Sequence, residues 1–155
     1  VEDMVCIKRD MKEAGKVPSR SIKIHQEIYK LHPEVNSVII AHPPYIMAYA
    51  VTDELLDSKS IPESYILMRD IPKVEYSEFY RDPEKSARIF NESTPIVMVN
   101  NDCVAVTGSS LLNAFDRLEV AEYSAKALVF AKNLGDMVPI SQEQIEEIKD
   151  AFHLK

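Results

Sequence analysis

A chain of 155 residues that is 46% apolar and 28% charged has the size and make-up of one globular domain, with enough side chains to bury a core. Its net charge of −7 argues against nucleic acid or an anionic membrane as a partner, since both require a basic face. No apolar run reaches transmembrane length, and the two cysteines, Cys6 and Cys103, form no CxxC pair or disulfide framework, which fits a reducing cytoplasm.

In chain order, Val1-Glu2-Asp3 is neither a signal peptide nor a natural start, so the chain reads as a fragment or a processed piece. Met4 to Lys8 reads as a short strand, followed by a charged loop containing Gly15. Ile24, Ile28 and Leu31 recur at helical spacing between Ser19 and Leu31, and Pro33 stops that helix. Val35 to Ala41 centres on Val38-Ile39-Ile40, a β-branched run of the kind buried on both faces, and His42-Pro43-Pro44 ends it because neither proline can donate to a ladder. Tyr45 to Val51 is expected as a short buried helix and Thr52 to Ser60 as a polar loop. A short helix and then a strand near Ile71 to Tyr76 are expected within Ile61 to Tyr76, and a helix over Pro83 to Phe90.

Pro95 to Asn100 and Cys103 to Thr107 read as two apolar strands around Asn101-Asp102, a pair that tolerates the left-handed backbone of tight hairpins. Ser109 or Ser110 can cap the long helix that follows. Leu111, Phe115, Leu118, Ala125 and Val129 mark its expected inner face, and Gly135 its stop. Ser141 with Gln144 predicts a capping box for the last helix, through Ile145 and Ile148 to Phe152.

Three segments resemble one family. Pro18-Ser19 with His25 and Tyr29 resembles a Pro-Ser-Ser-Glu turn followed by a helix bearing His and Ile-Tyr. Val38 to Tyr45 (VIIAHPPY) resembles a strand ending in His-x-His-Pro-Pro. Asn101 to Phe115 (NDCVAVTGSSLLNAF) resembles Asn-His-Gly, a strand, Gly, and a helix opening Leu-x-x-Ala-Phe. These are landmarks of the class II aldolase/adducin family. The resemblance implies a three-layer α/β/α domain over residues 1–155 with a mainly antiparallel central sheet, its first helix and phosphate-binding segment expected before Val1. It also implies a homo-oligomer, commonly a tetramer, and a small sugar phosphate as ligand. The family's enzymes hold Zn²⁺ with three histidines, polarise a carbonyl and stabilise the enediolate formed when a carbon–carbon bond breaks, with a glutamate shuttling the proton.

The family's functional positions carry over unevenly. The first zinc histidine falls on Ile40, which has no lone pair; the second falls on His42; the third falls on Asp102, a candidate oxygen ligand; the catalytic glutamate falls on Ser21. His42 and Asp102 leave a tetrahedral zinc short of the three protein ligands a catalytic site uses. Cys103 is a candidate thiolate, with a small apolar strand residue as its plainer role. Glu63, in Ile61-Pro62-Glu63-Ser64-Tyr65, is a candidate replacement base, with a favourable charge at a helix N-terminus as its plainer role.

His25 is expected to make a structural hydrogen bond, and His32 and His153 to be solvated. Tyr45, Tyr49, Tyr65, Tyr76 and Tyr80 are either core or pocket lining. Two functions follow from the resemblance. One is a binding or assembly module without zinc chemistry and with no cofactor. The other is a sugar-phosphate aldolase or epimerase with a rearranged site using Zn²⁺ or another divalent cation.

Overall fold

The structure is a computed structural model that describes residues 3–8 and 11–154. Val1 and Glu2, which carry most of the reading of the N-terminus, and Arg9 and Asp10 of the charged loop lie outside the described residues.

Two apolar runs organise everything else. Strands β5 (Ile96–Val99) and β6 (Cys103–Gly108) are buried at every position. An antiparallel strand with one wet face would alternate in polarity; these do not, because helices cover both sides. The sheet order is β3-β6-β5-β4, with β3 (Ser37–Ala41) antiparallel to β6, β6 antiparallel to β5, and β4 (Lys73–Val74) parallel to β5. The expected mainly antiparallel sheet is therefore present. Strands β1 (Ile7–Lys8) and β2 (Met11–Lys12) form a separate antiparallel pair, so the first predicted strand is shorter than expected and part of the predicted loop is extended.

Alternation along the strands sorts their side chains into two cores. Ile96, Met98, Val104 and Val106 face α2 (Pro44–Ala50), α3 (Pro62–Met68) and α6 (Leu111–Ala131). Val38, Val97, Val99, Cys103 and Ala105 face α1 (Ile22–Leu31), α4 (Tyr76–Arg81) and α5 (Pro83–Ala87). A three-layer α/β/α domain results. On its outside, α7 (Gln142–Phe152) rests on α3 through buried Ile145, and its capping box forms as predicted, Ser141 and Gln144 exchanging hydrogen bonds of 3.2 and 3.1 Å. Among the described residues, no helix is long and apolar enough to cross a membrane.

Two elements depart from expectation. The strand expected over Ile71 to Tyr76 shrinks to Lys73–Val74, and Tyr76 instead opens α4, a six-residue helix whose aromatic residues Tyr76, Phe79 and Tyr80 fall at helical spacing, Phe79 being buried. The inner face of α6 also matches only part of the expected stripe: Ala125 is buried and Leu118 and Val129 pack against the core, but Leu111 and Phe115 do not join them. Ala114, Ala121, Ser124, Ala125 and Leu128 are buried, while Leu111 and Phe115 are 69% and 51% exposed. Small residues win because the helix lies very close to the sheet at its start, where Gly108 passes Ala114.

One long-range contact fixes the entry to α2. Pro43 leaves this helix without a side-chain cap of its own. Glu122 of α6 supplies the acceptor instead, taking hydrogen bonds from the backbone N–H groups of Tyr45 (3.0 and 3.1 Å) and Ile46 (2.9 Å). A carboxylate here satisfies orphan donors and complements the helix dipole. Glu122→Gln is expected to lower stability by about 2 kcal/mol, the usual loss when a charged acceptor is removed. A urea titration checks this, and a loss below about 0.5 kcal/mol, the level of an ordinary surface change, would contradict the capping role.

Candidate functional site

The positions singled out by the resemblance converge at one end of β3 and β6. Ala41 pairs with Val104 and Ile40 with Ala105, so the next step of the same register sets His42 opposite Cys103. Ile40 packs against the core beneath α1, and side chains two apart on a strand share a face, so His42 continues that face where the strand runs out. Its imidazole is exposed.

Asp102 is placed by a tight turn. Its N–H donates to the Val99 carbonyl at 3.1 Å, and Asn101 takes the left-handed conformation expected of it, with φ 57°. The turn is pinned on both sides: the Asn101 N–H donates to the Ala50 carbonyl at the end of α2 (3.0 Å), and the Asn100 amide donates to the Glu75 carboxylate (2.8 Å).

The surroundings of Asp102 were not anticipated. Arg20, in the turn before α1, places Nη2 2.7 Å from Oδ1, and the Tyr80 hydroxyl donates to Oδ2 at 2.8 Å. The same guanidinium donates from Nη1 to the Tyr76 hydroxyl (3.1 Å) and lies over both rings, 5.5 Å from the Tyr76 centroid and 5.2 Å from that of Tyr80. Tyr76 and Tyr80 are four residues apart on α4, so the helix presents them together. The carboxylate is 11% exposed, whereas the Arg20 side chain is 61% exposed. Burial alone would raise the Asp102 carboxyl; the hydrogen bonds from Tyr80 and Cys103 and the Arg20 charge outweigh it and hold the group below the usual carboxylate range. Burial, and then the hydrogen bond to Asp102, push the Tyr80 phenol well above its ordinary value.

The other candidates separate. Cys103 is fully buried, its Sγ 3.7 Å from the Tyr80 hydroxyl, and burial pushes its thiol up to about 12, so it is a protonated strand residue. Ser21 is buried and its hydroxyl bonds that of Ser19 at 2.9 Å. Glu63 is exposed in the first turn of α3, a helix packed on α6 and α7. Cys103 belongs to the opposite core, so the sheet separates Glu63 from the cluster, and within this chain it is not brought to His42 or Asp102.

The histidines exchange roles: His32, expected in solvent, donates from Nε2 to the Ala87 carbonyl at 2.8 Å and ties the end of α1 to α5. The His25 ring, expected to do this, makes no hydrogen bond among the described residues, and burial lowers its pKa. His153 is exposed as expected. Of the tyrosines, Tyr49 and Tyr65 are core, Tyr45 is half-buried, and Tyr76 and Tyr80 line the site. Arg20 escaped the sequence reading altogether. Its only signal was its place beside Ser21, inside the Pro-Ser-x-x segment.

The donor set does not suit zinc. Ile40 offers no lone pair, both oxygens of Asp102 are engaged, and Cys103 is held as a thiol. Among the described residues, no three His, Cys, Asp or Glu side chains stand where they could share a metal ion.

Comparisons with known proteins agree with the layered fold. The family model for the class II aldolase and adducin N-terminal domain matches residues 1–129. An L-fuculose phosphate aldolase of Methanococcus vannielii is 28% identical over 129 residues, covering 81% of this chain and 68% of that protein. A 3-oxo-tetronate 4-phosphate decarboxylase of Haemophilus influenzae is 30% identical over 118 residues, covering 72% of this chain and 56% of that one.

Among solved structures, an L-fuculose 1-phosphate aldolase superposes with a TM-score of 0.75 at 25% identity, over 91% of this chain and 66% of its own length. YgbL of Escherichia coli superposes with a TM-score of 0.76 at 25% identity, over 94% and 72%. The chain thus spans between about half and three quarters of the relatives it matches. With the sheet, the helical layers and the family match in agreement, this chain belongs to the class II aldolase and adducin N-terminal domain family.

Proposed function

We propose that this domain has exchanged the family's metal centre for an Arg20–Asp102–Tyr80 lock and works as a binding or assembly module, a cytoplasmic homo-oligomer, in place of a zinc lyase. One observation carries the reading: at the position of the family's third ligand, both carboxylate oxygens are held by residues of the chain itself. A lone exposed imidazole, His42, then remains of the ligand set. A neutral imidazole is one of three protein ligands that a catalytic zinc needs, and Ser21 cannot replace a glutamate as proton shuttle near neutral pH.

The test is metal content and catalysis together. Protein purified from zinc-supplemented cells and dialysed without chelator is expected to hold well under one equivalent of Zn²⁺, and to leave L-fuculose 1-phosphate uncleaved with or without added metal. A full equivalent retained through dialysis, together with cleavage that His42→Ala abolishes, would overturn the reading.

The relatives' names favour a second reading, a metal-dependent sugar-phosphate lyase with a rearranged site. It requires Asp102 to be released from Arg20 and a donor from outside this chain in place of Ile40, with Glu63 serving as base only across a subunit boundary. Chelator-sensitive cleavage would support it.

A further inference from the structure

At the far end of β6 from Asp102, about 17 Å away for a strand of this length, a cavity of about 410 Å³ opens beside the start of α6. Arg117 reaches it from the second turn of that helix. Its Nη1 donates to the Thr107 carbonyl at 2.6 Å, and Thr107 is itself buried, its hydroxyl donating to the Pro95 carbonyl at 3.0 Å, so the guanidinium is held from one side by rigid backbone. The rest of the guanidinium is unmatched. Nε is buried without an acceptor, and no carboxylate among the described residues forms an ion pair with Arg117.

This is an unusual arrangement in a chain of net charge −7, where acidic partners are plentiful. Charges drawn partly out of water are ordinarily paired, and a buried donor left without an acceptor is costly. Burial and the nearby positive charge of Arg69 both press against the Arg117 charge and lower its pKa, so the site would gain from an anion. The cavity wall offers further donors. Asn113 spends its amide oxygen on the Ser109 N–H (3.1 Å) and hydroxyl (3.4 Å), which leaves its NH₂ group as a donor. Two carboxylates also line the cavity. Glu34 lies 3.4 Å from Nδ1 of His32, and Glu92 is exposed with an interaction of its own. Neither pairs with Arg117. They favour a ligand with one compact anionic group over a highly charged one.

We propose that this cavity is a second ligand site, which takes the oxyanion group of a small metabolite, a carboxylate or a phosphate, against Arg117 with Asn113 as the flanking donor. A guanidinium suits either group, because its planar fork can donate two parallel hydrogen bonds to a pair of oxygens. The inference is independent of how Asp102 is read, since the two sites share no residue.

The experiment titrates the full ¹⁵N-labelled chain with sodium phosphate and, separately, with sodium acetate, at constant ionic strength set with chloride. Saturable shifts of the Ser109 and Asn113 backbone amides and the Arg117 Nε–H signal are expected with at least one ion, with a dissociation constant on the order of 1–10 mM. The ion that saturates identifies the group recognised. Arg117→Lys, which keeps the charge but loses the fork, is expected to weaken binding about tenfold. Arg117→Met is expected to abolish it. Shifts that grow linearly to about 100 mM of both ions, or saturable shifts centred elsewhere in the wild-type chain, overturn the proposal. So does Arg117→Met binding as tightly as wild type. If Arg117→Met does not fold, the wild-type titration and the lysine variant still decide the matter.

Discussion

Gly108→Ala is expected to destabilise the domain by at least about 3 kcal/mol, or to prevent it from folding. The reason is space. A Cβ at this position would stand 2.5 Å from the Ala114 backbone nitrogen, 2.8 Å from its Cα and 2.9 Å from its Cβ. The two nearest atoms are backbone of the first turn of α6, whose Ala114 N–H is bonded to the Ser110 carbonyl and whose cap is the Ser110 hydroxyl. The helix cannot yield locally. It must lift from the sheet and take the burial of Ala114, Ala121 and Ala125 with it. Gly108 has no positive φ, so the demand is not conformational. Gly15 and Gly135 are the reverse case, with φ of 77° and 154° and nothing within 4 Å of a built Cβ. Adding Ala114→Gly to Gly108→Ala should recover little, because the obstructing N and Cα remain. Urea denaturation of the two variants beside wild type checks both statements, and a loss below about 1 kcal/mol for Gly108→Ala would show that α6 adjusts freely.

Ile40→His combined with Asp102→His is expected to create a zinc site, tightening Zn²⁺ binding over wild type by at least roughly 100-fold. Partners that merely orient a ligand are worth 10–100-fold, and this change restores two ligands outright. Position 40 shares a strand face with His42, and position 102 sits in the adjoining turn, immediately before the residue opposite His42. The substitution at 102 also removes the carboxylate that holds Arg20 and Tyr80, which opens the end of the sheet. Metal analysis after dialysis should find about one equivalent in the variant. Catalysis is not expected to follow, since Ser21 still stands at the position the resemblance assigns to the family's base. If the variant held no more zinc than wild type, the proposed loss of the metal centre would not rest on these two residues, and the lock around Asp102 would not explain it.

The sequence was most informative where local chemistry is decisive. The apolar runs of β5 and β6 read as two strands about a tight turn, and the fold buries every position of both because helices cover each face of the sheet. The end of α1 before Pro33, the Ser110 cap of α6 and the Ser141–Gln144 box of α7 were legible because capping is settled within four residues. Large apolar residues were only a partial guide to the inner face of α6: Leu118 and Val129 pack inward, Leu111 and Phe115 do not. Periodicity reports which stripe is oily, but how near the helix comes to the sheet decides which stripe fits. Here the near approach at Gly108 selects alanines.

The candidate site divides in the same way. Sequence by itself determined the family and the order of its landmarks, and the resemblance proposed four functional positions: Ile40 and Ser21, which cannot do a ligand's or a base's work, and His42 and Asp102, which could hold a cation. What became of Asp102 was decided only by the tertiary structure. Its partner Arg20 is 82 residues away and its partner Tyr80 is 22 away, on a helix of only six residues. A carboxylate's availability depends on what surrounds it in space. By sequence Asp102 was a candidate oxygen ligand; in the fold its two oxygens are already bound.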